Sequence, residues 1–248
     1  MNDKIRKAMM RPDCIMGVTA DNGGSWLSPI REDGAQPTTL PATDGQPWAI
    51  GSGMLTPTNT TVEDNYFVFP NNKSLVKSSF DFKGYDCDFS IFVDFEVYNL
   101  PTEQTARWWL KLFEQGDCQS GYPERYAIGA YFRKDNANAA WSLYCMHTNG
   151  TTQSIFSGAF EPIGRHSFVY VKNQEAGYFT GYKDGIQFVT KQNDALKLPL
   201  NGAISVSNDY GFSLAGGQNY MPTGIDFRIH SLAVFNRALS AEEIADLS

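Results

Sequence analysis

The strongest constraint on the fold is an alternation of apolar and polar residues in "DCDFSIFVDFEV", residues 86–97. Every odd position from Cys87 to Val97 is apolar, whereas the even positions are mostly polar, with Phe92 as the exception. Successive side chains of a β-strand point to opposite faces. The segment therefore predicts a strand with one face toward a core and the other toward solvent or a ligand.

Similar short segments follow along the chain with turn signals between them. Asp184 and Gly185 in "YKDGIQF" predict a two-residue hairpin, since a type I′ turn needs positive φ at both central positions. Many short strands with tight connections favour two packed antiparallel sheets. We therefore expect an all-β chain folded as a two-sheet jelly-roll sandwich. The clearest further strand segments are "ARWWLKLFE", "RYAIGAYFRK", "AAWSLYCMH", "RHSFVYVK", "AGYFTGYK", "GIQFVTK" and "FRIHSLAVF".

The beginning of the chain has a different composition from the rest. The stretch "EDGAQPTTLPATDGQPWAIGSGMLTPTNTT" is rich in Gly, Pro and Thr and shows little periodicity. Such composition is typical of loops and linkers. We interpret residues 1–62 as a loop-rich N-terminal arm or lead-in and residues 63–248 as the jelly-roll domain. The arm is either a loose tail or a segment that docks on a partner.

The end of the chain, "FNRALSAEEIADL", predicts a short capped helix. Ser240 and Glu243 have the spacing of a capping box, and Leu239 and Ile244 have that of a hydrophobic staple. A helix this short is not stable alone in water. We expect it to dock on the sheets through Leu239, Ile244 and Leu247.

Charge and composition exclude several classes of function. The net charge is −7 and the sequence pI is about 5.0, with no basic stripe to neutralise phosphates or anionic lipids. No apolar run is long enough to span a bilayer, and the N-terminus lacks the pattern of a signal peptide. We expect no nucleic-acid partner and no membrane insertion. We expect the protein to be extracellular or part of a virion if it is released by lysis, and cytoplasmic otherwise.

Three segments in order resemble a known superfamily. "DFSIFVDFEV" resembles the early strand of laminin-G-like and concanavalin A-like jelly rolls, which include lectins and glucanases. "GRHSFVYVKNQEAGYFTGYKDGIQFVT" resembles their central hairpin, and "FRIHSLAVFNRALSAEEIADL" their closing strand and helix. The resemblance implies a two-sheet jelly roll that either recognises glycans or hydrolyses them.

Hydrolysis requires two suitably spaced carboxyl groups, one of them held protonated. Asp94 and Glu96 share a strand face, but the third carboxylate of the Glu-x-Asp-x-Glu pattern that the resemblance calls for is absent. No Gly-x-Ser-x-Gly motif occurs either. We therefore expect that the protein is not an enzyme.

The resemblance instead implies a non-catalytic module that binds a glycan or a cell-surface protein through rim loops. Aromatic rings stack on sugars, and Asn, Asp and Gln side chains bond their hydroxyl groups. Such residues are equally common in ordinary turns. A bound calcium ion is compatible with the resemblance, with Asp117 and Asp209 as candidate ligands, although no diagnostic calcium loop occurs. The candidate ligand-binding residues are Tyr122, Tyr126, Asn208, Asp209, Tyr210, Gln218, Asn219 and Tyr220.

A second interpretation belongs to a different class of protein. An acidic chain with a proline-rich arm and no visible export signal fits a structural or assembly protein. In that case the jelly roll would be a phage virion fibre or capsid-decoration component, anchored on a protein partner by residues 1–62.

Overall fold

The larger of the two main antiparallel sheets contains the alternating segment as its central strand. The computed structural model describes residues 3–19, 39–40, 48–49, 55–58, 61–63, 66–68, 75–78, 87–99, 108–116, 126–135, 138–146, 152–158, 162–198, 212–214 and 226–248. Within these ranges the strands of the larger sheet are β1 (Cys14–Thr19), β5 (Thr61–Glu63), β6 (Tyr66–Val68), β8 (Phe89–Asn99), β13 (Gly164–Asn173), β14 (Tyr178–Lys183), β15 (Ile186–Gln192) and β17 (Asp226–Phe235). Their order in the sheet is β15-β14-β13-β8-β17-β6-β5, and β1 also pairs with β17.

The strands of the second sheet are β4 (Leu55–Thr58), β7 (Leu75–Ser78), β9 (Trp108–Gly116), β10 (Tyr126–Asp135), β11 (Asn138–Met146), β12 (Thr152–Gly158) and β16 (Phe212–Leu214). Their order is β12-β11-β10-β9-β16-β7-β4. Every pairing in both sheets is antiparallel, which confirms the predicted all-β sandwich. The remaining described elements are the strands β2 (Thr39–Leu40) and β3 (Trp48–Ala49), the helices α1 (Asp3–Met9) and α2 (Ala241–Leu247), and a 3-10 turn at Asp194–Lys197.

The core between the sheets is built largely from aromatic rings. Trp141 of β11 stacks on Phe168 of β13 at 5.4 Å between ring centroids and meets Phe95 of β8 at 6.0 Å. Phe113 of β9 contacts Tyr170 of β13 edge-on at 6.1 Å. All of these residues are buried, and such ring pairs add to the free energy of apolar burial. The odd positions of β8 therefore face the core, as the alternation predicts.

A second apolar cluster covers part of the outer face of the larger sheet. Phe92, the residue that interrupts the alternation in β8, lies in this cluster beneath the two terminal helices. Phe92 is completely buried there, so this part of the outer face is shielded from solvent. The other members are Ile5, Ala8, Met9, Cys14, Val169, Val171, Ala233, Phe235, Leu239, Ile244 and Leu247.

The first described residues are an integral part of the larger sheet. Strand β1 pairs with β17 from Cys14↔Phe235 to Thr19↔Ser231, and α1 packs on the second cluster. The sequence predicts a loop-rich lead-in for these residues, yet they contribute a strand and a helix to the sandwich. The domain boundary between residues 62 and 63 stays a prediction. Neither helix in the described ranges is long and apolar enough to cross a membrane.

The C-terminal helix has the predicted cap and the predicted docking face. The Glu243 backbone N–H donates to Ser240 Oγ at 3.3 Å, and the Ser240 N–H donates to Glu243 Oε2 at 2.9 Å. Leu239, Ile244 and Leu247 are all buried in the second cluster. Asp184 and Gly185 have φ of 49° and 77° in the β14–β15 turn, so the predicted hairpin is also confirmed.

An ion-pair network ties the two ends of the chain together. Arg11 bonds Asp13 at 2.7 Å and Glu243 at 2.9 Å. Arg237 bonds Asp13 at 2.5 Å and also both carboxylate oxygens of Glu243. Beneath the network, Ser90 Oγ accepts the Leu239 N–H and donates to the Arg237 carbonyl, each at 2.9 Å. Glu243 thus serves both as a cap residue and as an acceptor for two arginines.

Replacing Glu243 by alanine should lower the free energy of unfolding by about 2 kcal/mol, because it removes half of a capping box and leaves two arginines without their shared carboxylate. Urea unfolding measures the change. Glu242→Ala alters an exposed carboxylate in the same helical turn and is the matched control. Equal stability losses in the two variants would contradict the role assigned to Glu243.

The docking of β1 predicts the reactivity of Cys14. Burial, together with the nearby Asp13 carboxylate, raises the pKa of the Cys14 thiol to about 12. Because the thiolate is the reactive form, native Cys14 should resist iodoacetamide at about pH 8. The half-buried Cys87 should react before it. Peptide mapping by mass spectrometry should find Cys14 modified only after denaturation, and rapid modification in the native protein would show that β1 is detached.

Candidate functional site

The outer face of the larger sheet is polar and aromatic where the helices do not cover it. Arg165 of β13 and Arg228 of β17 both lie opposite Glu96 of β8 in the strand register. Directly paired residues of neighbouring strands share a face, so these three side chains form a row across the sheet. We call Tyr66, Glu96, Tyr98, Arg228 and His230 the outer-sheet patch.

Two tyrosines hold the guanidinium group of Arg228. Its Cζ lies 4.3 Å from the ring centroid of Tyr66 and 4.1 Å from that of Tyr98. Contacts of this length are cation–π interactions, and they fix an otherwise flexible side chain. Tyr98 is 48% exposed, so part of its ring surface remains open to solvent.

A bulge in β17 adds His230 to the patch. The register shifts between Ile229↔Phe95 and Ser231↔Asp94, which leaves His230 as the extra residue. Bulges commonly redirect a side chain in this way. His230 Nε2 lies 3.1 Å from Glu96 Oε2, and its ring meets that of Tyr66 edge-on at 5.7 Å.

The electrostatic surroundings of Glu96 keep it ionised. Burial of the carboxyl group raises its pKa, but hydrogen bonds from Tyr98 and His230, together with the charges of His230 and Arg228, outweigh burial and lower it. A catalytic acid of a glycosidase needs the opposite shift. Glu96 is therefore suited to accept hydrogen bonds and is a poor proton donor.

A cleft lies next to the patch, beside the start of β13. Its volume is about 470 Å³, and we call it the β13 cleft. Arg165 Nε and Nη2 donate to the two oxygens of Asp94 at 3.0 and 2.8 Å. The apolar residues that line the β13 cleft are Ile5 and Leu247. Its polar lining consists of Asp94, Arg165, His166, Ser167, Asp184 and Ser248.

The hairpin turn supplies a further lining residue of the β13 cleft, Asp184. Asp184 Oδ1 accepts the Ser167 N–H at 3.0 Å, and Asp184 Oδ2 lies 2.9 Å from His166 Nδ1. Lys183 reaches the same carboxylate at 3.3 Å. Ser167 Oγ donates to Ser248 Oγ at 2.8 Å, which connects the sheet to the end of α2.

The described residues do not assemble a hydrolytic centre from the candidates that the sequence offers. Asp94 is bound at both oxygens by Arg165, and Glu96 is ionised. An Asp–His pair exists at Asp184 and His166, but the second ring nitrogen of His166 lies 3.0 Å from the carbonyl oxygen of Ile163. That nitrogen faces an acceptor instead of the nucleophile that a triad requires.

The metal prediction concerns residues beyond those that the structure describes. Within the described ranges, no three His, Cys, Asp or Glu side chains gather closely enough to hold a metal ion. Asp117 and Asp209, the candidate calcium ligands, lie outside those ranges.

Nearly all of the rim-loop residues predicted to bind a ligand also lie outside the described residues. The residues in this group are Tyr122, Asn208, Asp209, Tyr210, Gln218, Asn219 and Tyr220. Tyr126 begins β10, where only its backbone is described. Their role therefore stays a prediction.

Apart from Asp94 and Glu96, the sequence did not predict the residues of the outer-sheet patch or of the β13 cleft as site residues. The period-two pattern of β8 places Asp94, Glu96 and Tyr98 on one face and was a usable signal. Tyr66, Arg165 and Arg228 reach that face only through strand pairing across the sheet, which no local pattern reveals.

Comparison with known proteins supports the fold. No protein-family model matches the sequence, and no curated protein shows significant similarity to it. Among solved structures, the receptor-binding domain of botulinum neurotoxin type G matches 94% of this chain with a TM-score of 0.57 and 13% identity. The ligand-binding domain of botulinum neurotoxin serotype D, in complex with N-acetylneuraminic acid, matches 97% with a TM-score of 0.58 and 11% identity.

These matches are partial with respect to the other proteins. This chain spans 50% and 51% of the two neurotoxin domains. Trypanosoma rangeli sialidase in complex with the inhibitor DANA matches 78% of this chain, with a TM-score of 0.53 and 14% identity, over 28% of its own length. The fold is thus shared with parts of binding domains and of an enzyme, so function has to be argued from the surface.

The lowered pKa of Glu96 predicts how its contribution to stability depends on pH. An unfolded glutamate takes up its proton near the ordinary value of 4.5, before the folded one does. The stabilisation by Glu96 is thus present above about pH 4.5 and is lost as the pH falls through the lower folded pKa. Urea unfolding should show that Glu96→Gln is less stable than the original protein at about pH 5.5, with the difference shrinking toward about pH 3.

Glu175→Gln changes an exposed carboxylate in the turn after β13 and is the control for Glu96→Gln. Its stability should follow that of the original protein at each pH. A Glu96→Gln deficit that persists or grows as the solution is acidified would show that the Glu96 carboxylate is not held ionised by its neighbours.

Proposed function

We propose that this chain is a non-catalytic module that recognises glycans, on a cell surface or on a glycoprotein, through the outer face of its larger sheet and the adjoining rim loops. The outer-sheet patch is the observation that carries the proposal. It combines an exposed tyrosine ring with fixed charged groups, and protein sites for sugars use aromatic faces together with hydrogen-bonding side chains.

The side chains of the patch are held in place by their neighbours, which supports a role in glycan binding. Arg228 is held by two rings, and Glu96 by Tyr98 and His230. Side chains that are already fixed lose less conformational entropy when a ligand binds. Tyr98 remains half-exposed above them, where a ring could cover the apolar face of a sugar.

The absence of catalysis is part of the proposal and rests on the carboxylates. Glycoside hydrolysis needs one carboxyl group that stays protonated near neutral pH. Asp94 is engaged by Arg165 and the pKa of Glu96 is lowered, so neither fits that role. The similarity to neurotoxin binding domains agrees with a binding role, and N-acetylneuraminic acid in one of those complexes makes sialylated glycans worth testing.

The rim loops remain part of the proposed surface. The sequence predicts groups that bond sugar hydroxyls and rings that stack on sugars at Asn208, Asp209, Tyr210, Gln218, Asn219 and Tyr220.

No comparison supports the alternative of a virion assembly protein, and that alternative stays a prediction.

Replacing Tyr98 by alanine should weaken glycan binding about fivefold or more, because it removes the exposed ring and one of the two rings that hold Arg228. Loss of a stacking ring from a sugar site is expected to cost about 1 kcal/mol or more. A printed glycan array should first identify retained glycans, and titration calorimetry with one of them should then compare the variants.

Tyr178→Ala is the matched control, since Tyr178 is a half-buried tyrosine on β14 outside the patch. It should bind as the original protein does. Retention of no glycan by the original protein would refute the proposed function, and release of reducing sugar from an array glycan would refute the non-catalytic role.

A further inference from the structure

The β13 cleft adjoins the outer-sheet patch through Arg165. This residue lies opposite Glu96 in the register, and the charge of the Glu96 carboxylate acts on its guanidinium group. Arg165 also lines the cleft. A ligand that covers Tyr98 and extends toward the hairpin turn would therefore reach the cleft next.

The cleft has the size and the fixed polar groups of a small-molecule site. Its volume of about 470 Å³ lies within the range of about 300–1,000 Å³ that is usual for such sites. Asp94 is nearly buried, with a side chain 9% exposed, whereas the side chain of Arg165 is 52% exposed. The buried carboxylate thus holds an accessible guanidinium group in position.

Arg165 keeps donors for a ligand while it is bound to Asp94. A guanidinium group has five N–H donors. The pair with Asp94 uses one on Nε and one on Nη2, so three remain for a ligand or for solvent. Asp184, 44% exposed, lines the same cleft and offers carboxylate lone pairs. Donors and acceptors in one cleft suit hydroxyl groups, which both donate and accept hydrogen bonds.

Each of the two carboxylates that line the cleft is paired with a base. Arg165, also in the lining, is paired with Asp94, and Lys183, which lies outside the lining, is paired with Asp184. An anionic ligand would therefore meet no net positive charge here, and it would approach a chain whose net charge is −7. A neutral ligand needs no positive charge in the cleft and is not repelled by the negative net charge of the chain.

We propose that the β13 cleft is a subsite for a neutral sugar unit and that the chain prefers neutral glycans of two or more units over their sialylated forms. One unit stacks on Tyr98 and the next places its hydroxyl groups between Arg165 and Asp184. This inference rests on the proposed function and extends it to the class of ligand and to a second group of residues.

The test compares neutral and sialylated probes on the full chain. An array holding lactose, N-acetyllactosamine, maltotriose, mannotriose and sialyllactose is followed by calorimetric titration with the retained probes. We expect at least one neutral probe to bind at least tenfold more tightly than sialyllactose. Arg165→Gln should weaken that binding at least tenfold. Ser248→Trp should do the same by filling the cleft from an exposed position, so it keeps the test valid if Arg165→Gln unfolds.

The outcomes separate this inference from the proposed function. Gln187→Ala on β15, outside the cleft and the patch, is the control and should bind as the original protein does. If neutral glycans bind and lose affinity in Tyr98→Ala but not in Arg165→Gln or Ser248→Trp, the cleft is no subsite and the proposed function stands. Preference for sialyllactose would overturn the predicted ligand class alone. Binding of no glycan at all would overturn both proposals.

Discussion

Strand β8 organises the molecule because it is hydrogen-bonded on both sides and carries different chemistry on its two faces. It pairs with β13 from Phe89 to Val97 and with β17 from Ser90 to Asn99. Its inner face meets the aromatic core, whereas its outer face begins under the terminal helices and ends in the outer-sheet patch. A slip of one residue in register would exchange these faces and bury Asp94 and Glu96 in the aromatic core.

The outer face also explains the ends of the chain. Phe92 interrupts an otherwise polar face, and an exposed phenylalanine in the middle of a sheet would be costly. The structure covers it with α1 and α2, which are held together by the network of Arg11, Asp13, Arg237 and Glu243. The capped helix at the end of the sequence thus helps to cover the part of this face that contains Phe92.

Local patterns were sufficient for the features that depend on local physics. The alternation in β8, the Asp184–Gly185 turn and the Ser240–Glu243 cap each follow from residues close together in sequence, and all three are present in the structure. The pairing of β1 with β17 could not be predicted in this way, since Asp13 and Arg237 meet across 224 residues. The outer-sheet patch was missed for the same reason, because it joins β6, β8 and β17. The bulge that adds His230 arises from a register shift between two distant strands.

Amide hydrogen exchange tests the central position of β8 most directly. An amide that is bonded within a doubly paired strand exchanges only when the whole domain opens. We expect the bonded amides of residues 90–97 to be among the slowest in the protein, and those of β1 to be protected along with the β17 amides that face them. Exchange of β8 at the rate of a loop, or of residues 14–19 at the rate of an unfolded peptide, would contradict the arrangement described for the larger sheet.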